Sequence, residues 1–169
     1  MKSIIFIILL ICPAVFADNT ELIVGGLTYH MFLDPDITEN FSNKVGFQGA
    51  LIANPIVGLG YTYVDEETKL YDSYRGFIGQ NSIGQPMIGG MYFYGKQLKG
   101  IDLGMGIGAY IQDDSQFKKR GIDVGSNIIP IYGFEINPKI MLDNKKFIKF
   151  NNLISPLLII STLSFGEEL

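Results

Sequence analysis

Between positions 101 and 111 the chain alternates without a break. Ile101, Leu103, Met105, Ile107, Ala109 and Ile111 are apolar, and Asp102, Gly104, Gly106, Gly108 and Tyr110 fill the places between. A period of two predicts a strand whose two faces meet different surroundings. The same reading along the rest of the chain predicts eight strands, at 21–32, 56–64, 70–80, 87–95, 101–112, 128–141, 147–154 and 157–166. Each approaches the ~9–11 residues a tilted strand needs to cross a bilayer. No segment carries a sustained 3.6-residue apolar period of the kind an amphipathic helix shows.

The connections alternate too. Those at 65–68, 96–100 and 143–146 are short and polar, whereas 33–55 and 113–126 are long. A short loop at 81–85 and the Ser155-Pro156 turn fall on the side of the long ones. Short turns at one rim and longer loops at the other are how outer-membrane barrels are built. In a water-soluble sandwich the glycines at 104, 106 and 108 would make a strange solvated face; inside a membrane barrel they leave room in the lumen. The fold class expected is all-β, an eight-stranded antiparallel transmembrane β-barrel of the outer membrane.

Before the first strand, Met1-Lys2-Ser3 is a short positive region, 4–12 is apolar, and Pro13-Ala14-Val15-Phe16-Ala17 ends in a small-residue cleavage pattern. This predicts a secretory signal peptide at 1–17 and a single barrel domain at 18–169. The one cysteine, Cys12, lies inside the leader, so the exported chain has no disulfide to rely on.

Composition removes other classes. One Cys and one His cannot close a zinc shell. A net charge of −4, with no basic run able to track a phosphate backbone, gives no footprint for nucleic acid. No Trp is present, but 9 Tyr and 12 Phe can supply the interfacial girdles.

Candidate chemistry starts at the sole histidine, His30, near the outer end of the first strand. Two serine motifs compete to join it. Asp72-Ser73 lies near the inner end of the third strand, and Asn81-Ser82 at its outer end. Nine positions at ~3.3 Å each separate them by about 30 Å. Only Asn81-Ser82 shares a rim with His30.

At these residues the chain resembles the PagP-like outer-membrane lipid A acyltransferases, a family of eight-stranded barrels. The matching pieces are Thr28-Tyr29-His30 on the first strand, Asn81-Ser82 after the third, and Pro86-Met87-Ile88-Gly89-Gly90 opening the fourth. Pro-containing segments on late strands, Ile129-Pro130-Ile131-Tyr132-Gly133 and Asn152-Leu153-Ile154-Ser155-Pro156, also match. An asparagine, Asn81, stands where the family carries an acidic residue, and the family's N-terminal amphipathic helix has no counterpart. The resemblance implies a monomer, no cofactor, and transfer of a phospholipid acyl chain to lipid A. His30 would be the base, with Ser82 and Asn81 facing the carbonyl. The acyl chain would lie in the lumen against Gly89, Gly90, Met91, Gly104, Gly106 and Gly108, the other reading of these glycines being relief of crowding in a small, tilted barrel. The residue that sets chain length in the family aligns with Met91, or with Gly90 on a one-residue shift, and an inward Met91 would make the chain shorter than palmitate. Two readings stand beside this one: a small structural or adhesive outer-membrane barrel without chemistry, and a secreted ligand-binding barrel.

Overall fold

The computed structural model describes residues 18–30, 50–81, 84–112, 127–156 and 158–168, with His30 and residues 50–52 described by backbone. The expected signal peptide lies outside the described residues. Among the described residues there are nine strands: β1 (Asn19–His30), β2 (Ala50–Ala53), β3 (Ile56–Val64), β4 (Leu70–Gln80), β5 (Pro86–Leu98), β6 (Ile101–Gln112), β7 (Ile128–Met141), β8 (Lys146–Ile154) and β9 (Leu158–Glu168). All pair antiparallel with their neighbours, and β1 pairs with β9 from Asn19↔Glu168 to His30↔Leu158, which closes the cylinder.

The closed barrel has eight staves, because β2 and β3 are one stave broken at Asn54-Pro55. Its upper piece pairs with the upper end of β1 (Leu27↔Ala53 to His30↔Ala50) and its lower piece with the lower end (Asn19↔Thr62 to Val24↔Val57). Residues 50–53 fall inside the long 33–55 connection, where the sequence leaves 43–54 open as a loop, a short helix or a strand extension, and a strand forms. Their apolar run, Ala50-Leu51-Ile52-Ala53, has no alternation to mark it as a strand. At the same height β1 carries one residue more than β9, between Val24 and Leu27, and Gly25 there has φ +67°. A glycine in the left-handed region is what such a bulge requires. Both staves therefore bend together.

Period two places alternate residues inside and outside. The outward set includes Met105, Ile107, Tyr132 and Phe134, each more than half exposed, with Leu22, Leu59, Ile78, Ile88 and Phe150 around the rest of the wall. On a water-soluble domain a continuous apolar exterior of this kind would drive association. Around a closed barrel of 9- to 14-residue strands it is the lipid-facing band of a transmembrane β-barrel of the outer-membrane type. Outside β3–β5, Tyr74 packs on Tyr63 (ring centroids 6.2 Å apart) and on Tyr92 (5.2 Å).

Three tight turns join the strands at the rim that also holds Asn19 and Glu168. In the first, Asp65 Oδ1 accepts hydrogen bonds from the N–H groups of Glu67 (3.0 Å) and Thr68 (2.8 Å), which hold its carboxyl below the usual carboxylate range. Asp143 does the same with Lys145 (2.8 Å) and Lys146 (2.6 Å), with the same effect. The middle turn is only Lys99-Gly100, because β5 runs on to Leu98, past the end expected at 95.

One seam is incomplete. Strand β7 pairs with β6 continuously from Ile128 to Pro138, but with β8 only at Phe134–Glu135 and Lys139–Met141. Across the interruption the Asn152 side chain takes over, donating to the Ile136 carbonyl (2.9 Å), while the Asn152 N–H donates to Asn137 Oδ1 (2.9 Å). Gln112 donates its N–H to the Asn127 carbonyl (2.9 Å), and Lys139 donates to the Gly100 carbonyl (2.9 Å). Antiparallel ladders alternate, so the odd residues of β7 bond toward β6. The nitrogens of Pro130 and Pro138 therefore both face the β8 side.

Candidate functional site

Inside the barrel the side chains divide into two zones. The half near the termini is polar. Arg75 on β4 donates through Nε to Glu21 Oε1 (2.9 Å) and through Nη1 to Glu135 Oε2 (2.8 Å), and its guanidinium lies 4.1 Å from the centroid of the Phe93 ring. Glu135 also accepts from the Tyr71 hydroxyl and from Asn137 Nδ2 (2.6 Å). Glu21 Oε2 is paired with Lys149 (2.9 Å) and accepts from Ser164 Oγ (2.8 Å). Lys149 also approaches Asp102 (3.8 Å). These charges are nearly fully buried, and burying charge is tolerable only when partners surround it. The network bolts strands from opposite walls together, and with Tyr71, Phe93 and Phe147 it plugs this half.

The other half is an apolar slot. A cavity of about 240 Å³ is walled chiefly by Phe77, Met87, Met91, Tyr110, Ile131 and Ile160, and floored by Arg75, Glu135 and Asn151. That volume is just under the ~300–1,000 Å³ of small-molecule clefts. Along β7 the lining runs from Ile129 to Glu135. At ~3.3 Å per residue and a ~40° tilt, the slot is about 15 Å deep. It suits a slender chain. Pro130 and Tyr132, whose side chains stand on the outside of the wall, also line it, as does Pro156. The slot thus reaches the backbone of the wall beside the interrupted β7–β8 seam. Short turns face the periplasm in barrels of this kind, which sets the slot in the outer-leaflet half.

The residues expected to act at the mouth fall as follows. His30 ends β1, its backbone paired with Ala50 and with Leu158, a lining residue of the slot. Asn81 follows β4 at the same rim and also lines the slot. Its amide is committed on both sides: Nδ2 donates to Gln112 Oε1 (2.6 Å) and Oδ1 accepts from the Gln85 N–H (2.9 Å). Those bonds close the 81–85 loop and tie it to the end of β6. Ser82 lies outside the described residues. Ser73 is fully buried in the polar half and accepts from Thr62 Oγ1 (3.0 Å), away from the mouth.

The glycines expected to make room for a chain have other occupants. A Cβ at Gly104 would lie 2.5 Å from the Tyr71 hydroxyl, at Gly106 2.3 Å from the Phe93 ring, and at Gly108 2.7 Å from Met91. At Gly89 it would meet Phe77 at 2.6 Å. Each glycine is covered by a large side chain from β4 or β5, so the stripe serves packing. Gly90 stands on the outer face, since the alternation that turns Gly89 and Met91 inward turns it out. Met91 does line the slot. The sequence reading missed the ionic floor and Asn151, although all of these residues occupy the inward parity of their strands, where an isolated charge or amide is the available signal.

No protein-family model matches the sequence, and no curated protein matches it, so the resemblance to lipid A acyltransferases rests on the quoted residues alone. Among solved structures, the chain is similar to the N-terminal β-barrel domain of Pseudomonas aeruginosa OprF at 10% identity and a TM-score of 0.42, covering 89% of this chain and 97% of that one. It is also similar to Ail, the attachment invasion locus protein of Yersinia pestis, at 9% identity and a TM-score of 0.26, covering 89% and 96%. The membrane assignment stands on the barrel's own exterior.

Proposed function

We propose that this barrel admits the acyl chain of an outer-leaflet phospholipid through the β7–β8 seam into its apolar slot, and transfers that chain to lipid A at the mouth. The observation that carries the reading is the slot itself, a mainly apolar space of about 240 Å³ whose lining reaches Pro130 and Tyr132 beside the interrupted β7–β8 seam. A pore would need a continuous polar lumen, and a purely structural barrel has no use for an unfilled apolar slot.

In the transfer, His30 takes the proton from a lipid A hydroxyl as its oxygen attacks the ester carbonyl, and returns it to the departing lysophospholipid oxygen. A positioned base of this kind contributes ~10²–10⁴-fold. Ser82 faces the carbonyl, and the role of Asn81 is to hold the loop that carries it, because its amide is already engaged. Met91, projecting into the slot, limits the chain to fewer carbons than palmitate.

The test is the mass spectrum of lipid A from cells with and without the expressed barrel. An added acyl group, lost in His30→Ala and Ser82→Ala and kept in Ser73→Ala, is expected. An unchanged spectrum under membrane stress, with the protein folded in the outer membrane, overturns transfer. Palmitate as the sole added chain overturns the role given to Met91.

A further inference from the structure

At the floor of the slot, on β8, Asn151 is 6% exposed and lines the cavity. Its Nδ2 donates to Ser164 Oγ (3.0 Å) and, more weakly, to Thr162 Oγ1 (3.4 Å). Ser164 gives its own hydrogen to Glu21 Oε2 and can therefore only accept from Asn151. That fixes which end of the amide is which. Oδ1 is left buried with no hydrogen-bond partner among the described residues. An orphaned buried acceptor carries a desolvation cost that a bound donor would remove. Thr162 lines the same floor, where its hydroxyl hydrogen has no acceptor among the described residues.

The surrounding charge selects the kind of donor. Beneath the floor, Glu21, Glu135 and Asp102 face Arg75 and Lys149, and Lys139, itself paired with Glu168, also acts on Asp102. The carboxylates outnumber the cations by one, which disfavours a carboxylate or phosphate coming down the slot, and the apolar walls above disfavour a strongly hydrated head of either sign. A neutral group that both donates and accepts, buried within a hydrocarbon chain, fits.

We infer that the slot recognises a hydroxylated acyl chain, whose hydroxyl donates to Asn151 Oδ1 and accepts from Thr162. Asn151 lies four residues down β8 from Ser155 at the mouth, about 10 Å of depth after allowing for strand tilt. The hydroxyl therefore belongs toward the far part of the chain, not beside the head group. This rests on the acyl-chain reading of the slot and adds a specificity to it.

The experiment uses the folded full barrel in detergent micelles, with myristate, 10-hydroxymyristate and 14-hydroxymyristate, all shorter than palmitate, as competing probes and native mass spectrometry as the readout. At least one hydroxylated chain is expected to be retained about tenfold over myristate, the increment of one satisfied hydrogen bond. Asn151→Leu is expected to erase that preference. Should that variant fail to fold, Thr162→Val, nearly the same shape, is expected to reduce the ratio of hydroxylated to plain chain retained. Equal retention of all three chains overturns the hydroxyl inference and leaves acyl binding standing. Retention of none overturns both.

Discussion

Replacing Arg75 with methionine tests whether the buried ionic floor holds the barrel together. The substitution keeps most of the aliphatic volume and removes the guanidinium that joins β1 to β7 through Glu21 at 2.9 Å and Glu135 at 2.8 Å. Taking one partner from a buried ion pair costs about 3–5 kcal/mol, because the remaining charge is stranded. Here two carboxylates are affected, but neither is left bare. Glu21 keeps Lys149 and Ser164, and Glu135 keeps Tyr71 and Asn137. The lower end, ~3 kcal/mol, is therefore expected, a shift in the folded-to-unfolded ratio on the order of 10²-fold. Urea unfolding in lipid vesicles, followed by far-UV circular dichroism and by the heat-modifiable gel band, measures it. The double variant Arg75→Met/Glu135→Gln removes one stranded charge and should be at least ~1 kcal/mol more stable than the two single effects added together. An Arg75→Met barrel within ~1 kcal/mol of the parent, with no coupling in the double variant, would refute the argument. The exposed Lys69–Glu66 pair is the control: Lys69→Met should change stability by less than ~1 kcal/mol.

Other outcomes follow from the packing, the turns and the mouth. Gly106→Ala drives a methyl into the Phe93 ring and should cost ~1–3 kcal/mol, partly recovered by adding Phe93→Leu, whereas Gly90→Ala on the outer face should stay within ~0.5 kcal/mol; urea midpoints compare them. The Asp65 carboxyl is lowered on folding, so the stability of its turn is fully present above the ordinary value of ~3.9 and is lost as pH falls through the folded value. The Glu67 and Thr68 amide shifts, followed by NMR, should titrate with a midpoint below that value; a midpoint at or above it contradicts the hydrogen-bond assignment. Asn81→Ala and Gln112→Ala break the same bond at the mouth and should lower lipid A acylation alike, by about 10²-fold if the loop shifts by an ångström, with folding unchanged on the gel.

The strand at 101–112 was legible because alternation in it is unbroken, and those at 56–64, 70–80 and 128–141 because turns or loops bound runs of the right length. Each begins and ends where the reading placed it. The small strand β2 was legible only as one of three options for 43–54, since four apolar residues in a row carry no period and their partner, the end of β1, is known only once the barrel closes. The glycines show the same limit. Their inward parity on β6 can be read from the sequence, but Tyr71 of β4 and Phe93 and Met91 of β5 cover them, and that depends on register. His30 and Asn81 were placed at one rim by counting strand crossings, which needs no side-chain detail. That both ends of the Asn81 amide are engaged is a property of loop geometry, and composition holds no trace of it.

Two prolines on a single strand give the wall an unusual property. Hydrocarbon offers nothing to bond a bare amide, so a gap in a barrel normally exacts several kcal/mol for each polar group it strands. At Pro130 and Pro138 the imide nitrogens aimed at the gap carry no hydrogen to strand. The seam therefore leaves two fewer donors bare than a proline-free strand would, and the acceptors beside it need partners such as the amide that Asn152 offers to the Ile136 carbonyl.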